Sequence, residues 1–338
     1  MLKEMTEKMI GFEDLSFQEA YRVMQYIMQG KASDPEIASF LTALRMKGET
    51  TEEISGFAQA MLGIAHTLKS KHKLLVDTCG TGGDKKHTFN ISTTAAFVAA
   101  GAGVAVAKHG NRCVSSNSGS ADVLEELGVN LHLSDQQITH CIDDIGIGFI
   151  FARKAHAAIA HVARARKQMG IKTVFNILGP ITNPAMAGGR VLGVYEPKLV
   201  EKMTHSLKKM GIKRALVVYG MEGLDEISVS GKTLISDLKN NRVSKYTITP
   251  GDFGLKQYSF QDLRGGSPQK NANILLGILS GSQKGAKRAA AVLNGAAAII
   301  AGGKTDNFPQ AVSMASYSID SGKAMEKLEQ LIAYCKRH

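Results

Sequence analysis

Two glycine- and hydroxyl-rich runs carry the residue types needed to hold phosphate groups. The first is VDTCGTGGD at 76–84, followed by TFNIST at 88–93. Glycines without Cβ let backbone N–H groups come close to an anion, and a helix opening near Thr93 adds unpaired N–H groups and a favourable dipole. Thr88, Asn90, Ser92 and Thr93 put four polar groups into six residues, more than capping one helix requires. The second run starts at Lys108-His109-Gly110-Asn111-Arg112 and continues through serines to Ser120. It combines two cations with hydroxyls facing another helix start. Two such units predict a substrate with two separated phosphate groups. The first loop is not a dinucleotide fingerprint, because position 85 is Lys where a third glycine would stand, and it contains no G-x-x-x-x-G-K-[ST] run.

A third loop, GMEGLDEISVSG from Gly220, presents the adjacent carboxylates Asp225 and Glu226. Beside two phosphate loops such a pair suits Mg²⁺ held mostly through water and phosphate oxygens. His109, His156 and His161 lie near basic residues, but no Ser or Cys stands with them in a nucleophile order, so no covalent nucleophile is assigned. Arg153, Lys154, Arg164, Arg166 and Lys167 follow one predicted helix. Most should be solvated, but one buried at a cleft could receive a carboxylate bidentately.

These loops need a frame. The first seventy residues predict helices only, with capping boxes at Ser16–Glu19 and Thr50–Glu53 and an Asp34-Pro35 start between them. Three short helices bury little core alone, so they must pack on the rest of the chain or on a second copy. From Leu74 on, β-prone runs appear at 74–77, 104–107, 148–151, 191–195 and 215–219, mostly separated by alanine-rich or amphipathic helical patterns. This alternation predicts an α/β fold with a central, mostly parallel sheet flanked by helices, joined to a small all-helical N-terminal domain. Ligands in such sheets sit at the carboxyl ends of strands. Residues 171–184 read as a helix broken at two prolines, a crossing between the helical and α/β parts. The expected division is 1–70 (with a contribution from about 168–190) against 71–167 and 191–338. The tail from Asn271 is again helical.

The 338 residues carry 41 Lys and Arg against 30 Asp and Glu, a net charge of +11. That balance admits a nucleic-acid partner, but aromatics are 6% with no Trp, a poor supply for base stacking. A polyanionic small substrate drawn into a positive cleft is the better reading. The N-terminus has no apolar signal core, the apolar stretch from Thr93 to Ala107 is too short to span a membrane, and the four cysteines make no metal spacing. A cytoplasmic protein with reduced thiols, bound neither to nucleic acid nor to membrane, is expected.

Taken in order, GTGGD (80–84), TFNIST (88–93), KHGNR (108–112), SS (115–116), GSAD (119–122), FNILGPITNP (175–184), LDE (224–226) and GGSPQKNA (265–272) resemble the anthranilate phosphoribosyltransferase family, as does ASFLTALRMKGET near the N-terminus. The resemblance spans nearly the whole chain. It implies transfer of the phosphoribosyl group of phosphoribosyl pyrophosphate to the amino group of anthranilate in tryptophan biosynthesis, with release of pyrophosphate. It also implies Mg²⁺ and a homodimer joined through the helical part.

Carried over by motif, phosphoribosyl pyrophosphate would meet Gly80, Gly83, Asp84, Thr88, Asn90, Ile91, Ser92, Thr93 and Ser120. It would also meet Lys108, His109, Gly110, Asn111, Arg112, Cys113, Val114, Ser115 and Ser116. Anthranilate would meet Gly80, Asn111 and Arg166, and the metal Ser92, Asp225 and Glu226. Lys108 and Mg²⁺ would stabilise the charge of the leaving group. Two departures stand out: Lys85-Lys86 where the family often has glycine after GTGGD, and Arg153 where it usually has proline. The nearest rivals are a pyrimidine nucleoside phosphorylase of the same architecture and a non-catalytic, nucleic-acid-binding relative.

Overall fold

A computed structural model describes residues 1–112 and 118–338. The chain opens with four helices: α1 (Leu2–Ile10), α2 (Phe17–Met28), α3 (Asp34–Lys47) and α4 (Thr51–Ile64). Ser16 and Thr50 cap α2 and α4, each accepting the N–H of a glutamate three residues on, whose carboxylate returns to the capping residue. The helix of residues 2–10 is one more than the capping signals predict; Met1 caps it without a side-chain bond, so nothing in the sequence marks its start. Glu53, fully buried, also accepts the Leu15 N–H at 2.9 Å and the Lys47 ammonium at 3.1 Å, tying α4 to α3 and to the loop before α2.

Strands and helices then alternate. They run β1 (Val76–Thr78), α5 (Ile91–Gly101), β2 (Val106–Gly110), α6 (Ser120–Glu126), α7 (Asp135–His140), β3 (Ile147–Phe151), α8 (Ala152–Ala155), α9 (Ala160–Met169) and α10 (Phe175–Leu178). After them come β4 (Gly189–Gly193), α11 (Lys198–Lys209), β5 (Arg214–Gly220), β6 (Thr233–Lys239) and β7 (Arg242–Ile248), then α12 (Pro268–Leu279), α13 (Ala286–Ala301), α14 (Phe308–Asp320) and α15 (Lys323–Cys335). The sheet has the order β3-β2-β1-β4-β5-β6-β7. Its first five strands are parallel and the last two join antiparallel. The parallel sheet is as expected from the alternating pattern. The β6–β7 hairpin is an addition: Asn240 and Asn241 turn it with φ of 47° and 67°, a left-handed pair that asparagine tolerates.

One hydrophobic core lies between the sheet and α5, α12, α13, α14 and α15. The other joins α1–α4 to Val162 and Ala165 of α9, to residues 174–181, and to α11 and the facing side of β4 and β5. The broken stretch after Ile171 consists of α10 and a 3₁₀ turn at Gly179–Ile181. Residues 156–159 separate α8 from α9, so the single helix expected to carry the basic side chains is broken and Arg153 and Arg166 occupy different helices. No helix among the described residues is long and apolar enough to cross a membrane.

Candidate functional site

The parallel strands end together, and their loops meet there. Asp77, in β1, organises the strand ends: its buried carboxylate accepts the His109 N–H at 3.1 Å, the Asn183 amide at 2.8 Å and the Arg190 guanidinium at 3.3 Å. Those donors come from β2, from the segment after α10 and from β4. A buried charge with three donors is compensated, so this acid is a fastener. The motif reading assigns no role to Asp77, Asn183 or Arg190; a charge in the middle of the buried strand VDT was the available signal.

From Thr78 the glycine loop turns back over the sheet. The Cys79 and Thr81 N–H groups bond to Val191 O and Gly193 O of β4 at 3.0 and 2.8 Å. Gly82 and Gly83 take φ of 61° and 75°, and Lys85 and His87 take 58° and 54°. Lys85 therefore occupies a conformation that glycine would accept without strain. Farther on, the Phe89 N–H bonds to Leu263 O and the Asn90 amide to Ser118 O, while Asn271 donates to Asn90 at 2.9 Å and holds the Gly266 N–H. GGSPQKNA thus serves as a buttress for the first loop.

The two carboxylates come to this loop from β5. Asp225 Oδ2 accepts the Gly82 N–H at 2.7 Å, and Glu226 Oε1 accepts the Ser92 N–H at the start of α5 at 3.1 Å. Gly80 and Gly193 are glycines for want of room: a Cβ would lie 2.5 Å from Asp225 Oδ2 at the first and 1.6 Å from Asp225 O at the second. Asn294 of α13 clamps the backbone of Ile227 from below through both its amide groups. Burial and the neighbouring Asp84 push the Asp225 carboxyl up to about 7. Burial and Asp225 push Glu226 well above the usual carboxylate range, against the pull of Lys108.

Lys108 is buried with its ammonium on Thr78 O and, at 3.2 Å, on His109 O, and Thr78 Oγ1 bonds to Ser92 O at 2.9 Å. Gly82, Ser92, Lys108, Asp225 and Glu226 therefore belong to one neighbourhood. Carboxylate and hydroxyl oxygens with no thiolate or imidazole suit a hard divalent cation, and two half-buried acids with one backbone donor each leave negative charge for one to neutralise. Among the described residues no group of three or more His, Cys, Asp and Glu could encircle a metal by itself. An ion at Ser92, Asp225 and Glu226 would need further oxygens from its substrate and water.

Other candidates fall nearby. Thr93 Oγ1 is buried without a partner, Ile91 is buried at the α5 start, and Thr88 bridges to Arg264. Asn111 accepts the Arg112 N–H on its side chain. The Arg112 guanidinium grips Glu125 with two bonds of 2.7 Å and Asp122 at 3.1 Å. Ser120 Oγ contacts Asn111 O at 3.4 Å, and a Cβ at Gly110 would meet that hydroxyl. Cys113, Val114, Ser115 and Ser116 lie outside the described residues. His109 and His156 pack edge to face with ring centroids 5.5 Å apart, and burial holds both below the ordinary histidine range. Arg166, half-buried on α9, sits 5.2 Å from the centre of the Phe175 ring, and burial lowers its pKa.

Comparison with known proteins agrees with this arrangement. Residues 3–65 match the helical bundle domain of a glycosyl transferase family, and residues 72–325 its a/b domain. The anthranilate phosphoribosyltransferase of Pelotomaculum thermopropionicum is 50% identical over 334 residues, which cover 99% of this chain and 96% of that one. The crystal structure of the Thermus thermophilus enzyme superposes with a TM-score of 0.93 at 41% identity, covering 98% of this chain and 99% of that one. The Saccharomyces cerevisiae enzyme in complex with PRPP and Mg gives 0.90 at 29% identity, covering 100% of this chain and 98% of that one. The chain belongs to the anthranilate phosphoribosyltransferase family.

Proposed function

We propose that the protein transfers the phosphoribosyl group of phosphoribosyl pyrophosphate to the amino group of anthranilate, releasing pyrophosphate. The observation that carries this reading is the meeting of the Gly82 and Ser92 N–H groups on Asp225 and Glu226, beside Lys108. Diphosphate would lie on the glycine loop and the α5 start, with the phosphate-binding contacts drawn from Gly80 to Thr93 and from Lys108 to Ser120. Mg²⁺ at Ser92, Asp225 and Glu226 would supply positive charge to the departing diphosphate. The Lys108 ammonium, held on carbonyls at the end of β1 and β2, lends a second positive charge without needing to move. Preorganised charge of this kind is the larger part of such catalysis.

Displacement at an anomeric carbon develops an oxocarbenium-like sugar, by analogy with glycoside transfer. The aromatic amine is already neutral, so the protein's task toward it is orientation. Arg166 would fix its carboxylate, with Asn111 and Gly80 at the other side. The helical unit of residues 1–70, with the crossing near 168–190, would exclude water from the reacting carbon. A homodimer through the helical unit accords with Ile10, Phe12 and Met46, which are 59%, 66% and 72% exposed there; stable interfaces cover such side chains. We place the reaction in the cytoplasm.

Loss of anthranilate fluorescence on mixing the protein with phosphoribosyl pyrophosphate and Mg²⁺ tests the reading. Signal loss that requires all three components supports it. A protein that leaves anthranilate untouched but splits uridine or thymidine with phosphate would overturn it.

A further inference from the structure

One cation contacts the glycine loop from outside the phosphate motifs. Lys172 lies between α9 and α10, in the segment that links the two cores. Its Nζ donates to Gly83 O at 2.8 Å and sits 3.5 Å from the centre of the Tyr195 ring, just beyond β4. Burial raises the pKa of the Tyr195 hydroxyl, and the neighbouring Arg45 of α3 partly offsets this. Contacts therefore lead from Tyr195, just beyond β4, through Lys172 to the backbone of the loop.

The carbonyl that Lys172 holds is part of the 83–84 peptide. In a planar trans peptide, C=O and the next N–H point in opposite directions. Anchoring Gly83 O toward Lys172 therefore turns the Asp84 N–H to the other side. Gly83, at φ 75°, has no side chain to resist a flip of that peptide. A residue with that freedom has its carbonyl tied from outside. A Cβ at Gly83 would fall 3.1 Å from Lys172 Cε and Nζ, so the ammonium rests directly against the loop backbone.

We propose that Lys172 is a positioning residue for the diphosphate: by holding the Gly83 carbonyl it fixes the 83–84 peptide with the Asp84 N–H presented to the anion. This inference rests on the diphosphate reading given above. It also gives Tyr195 a role, as the aromatic seat that keeps the ammonium over the loop.

Steady-state kinetics of Lys172→Met, Lys172→Arg and Lys172→Gln in the full-length protein test it, with the melting temperature of each as a fold control. Loss of a charge-assisted hydrogen bond corresponds to roughly tenfold in affinity or more. Lys172→Met should raise the KM for phosphoribosyl pyrophosphate by about tenfold, with kcat and the KM for anthranilate within about twofold. Lys172→Arg, which can still donate to Gly83 O, should recover most of the loss, and Lys172→Gln should fall between. If the Met variant fails to fold, the comparison of Gln with Arg reads the same quantity. A KM for phosphoribosyl pyrophosphate that stays within twofold, an Arg variant as poor as Met, or an equal rise in both KM values would overturn the assignment. Absence of turnover in the unsubstituted protein would instead overturn the proposed function.

Discussion

Replacing Asp225 by Asn should make the metal-free protein more stable while removing most of its activity. Burial and Asp84 raise the Asp225 carboxyl from 3.8 to about 7. A folded carboxyl that holds its proton more tightly than the unfolded chain adds stability at low pH, and this stability is lost as pH climbs from the unfolded value through the folded one. Ionised Asp225 thus works against folding above pH 7. The rise corresponds to roughly 4 kcal/mol for a fully enclosed group; the side chain is half-buried, and its remaining solvent contact reduces this to about 2 kcal/mol. Asparagine keeps an oxygen for the Gly82 N–H and carries no charge. With an unfolding entropy near 0.7 kcal/mol/K for a chain of this length, the variant should melt about 3 °C above the wild type at pH 8 in chelator. At pH 4 the two should melt nearly together. Millimolar Mg²⁺ should raise the wild type and leave the variant in place, and turnover should drop by about 100-fold or more. Scanning calorimetry at pH 4, 6 and 8, with and without Mg²⁺, reads all of this. A variant that melts below the wild type at pH 8 in chelator would refute the reasoning.

Arg166→Ala should raise the KM for anthranilate by roughly 10- to 100-fold, the size of a bidentate charged contact, while the KM for phosphoribosyl pyrophosphate stays put; titration of each substrate separates the two. In Gly193→Ala the new Cβ would press on Asp225 O, 1.6 Å away, so the acidic loop must shift. The Mg²⁺ concentration for half-maximal activity should rise by about tenfold with a native circular dichroism spectrum, and an unaltered Mg²⁺ curve would show that the loop is free to move. His109 and His156 are held neutral by burial. Groups whose folded pKa is depressed in this way cost stability as pH falls below about 6.5, because the unfolded chain takes up the protons first. His156→Gln, able to donate to Thr182 O in place of the ring, should soften the loss of melting temperature between pH 6.5 and 5, and an unchanged slope would remove His156 from that acid response.

Much of the fold is legible in the residues because its signals are local. Capping boxes at Ser16 and Thr50 place two of the four N-terminal helices, and the β-prone runs find all five parallel strands to within a few residues. What escapes has weak or nonlocal causes. α1 starts without a capping side chain, and β7 alternates too weakly, with most of its side chains exposed at the sheet edge. The glycine loops and the Asp225–Glu226 pair stand out as residue types that a plain turn does not need. Asn271, Asn294 and Lys172 do not stand out, since each is an ordinary helix or loop residue whose significance lies in a partner 67 to 181 positions away. Asp77 is intermediate: an acid within a buried strand predicts a partner, but only the folded chain identifies Asn183 and Arg190.

The acids of the sheet end are treated in two opposite ways, and the contrast separates framework from chemistry. Asp77 receives three donors, one from the cation Arg190, and its charge is answered within the fold. Asp225 and Glu226 receive a single backbone N–H each and press on one another. Natural selection for stability alone would replace the second pair by neutral residues, since partly buried charges with so few partners are costly. Their retention is understandable only if something from solution completes them. The same contrast holds among the cations: Arg190 is permanently paired, whereas Arg166 has an aromatic face beneath it and burial working against its charge. An unanswered negative pair next to phosphate-binding amides, and an under-answered guanidinium on α9, together define a site whose electrostatics close only around a metal-bound diphosphate and a carboxylate. The protein therefore gives up stability at the residues that the substrates complete, and spends its hydrogen bonds on the neighbours that hold those residues still.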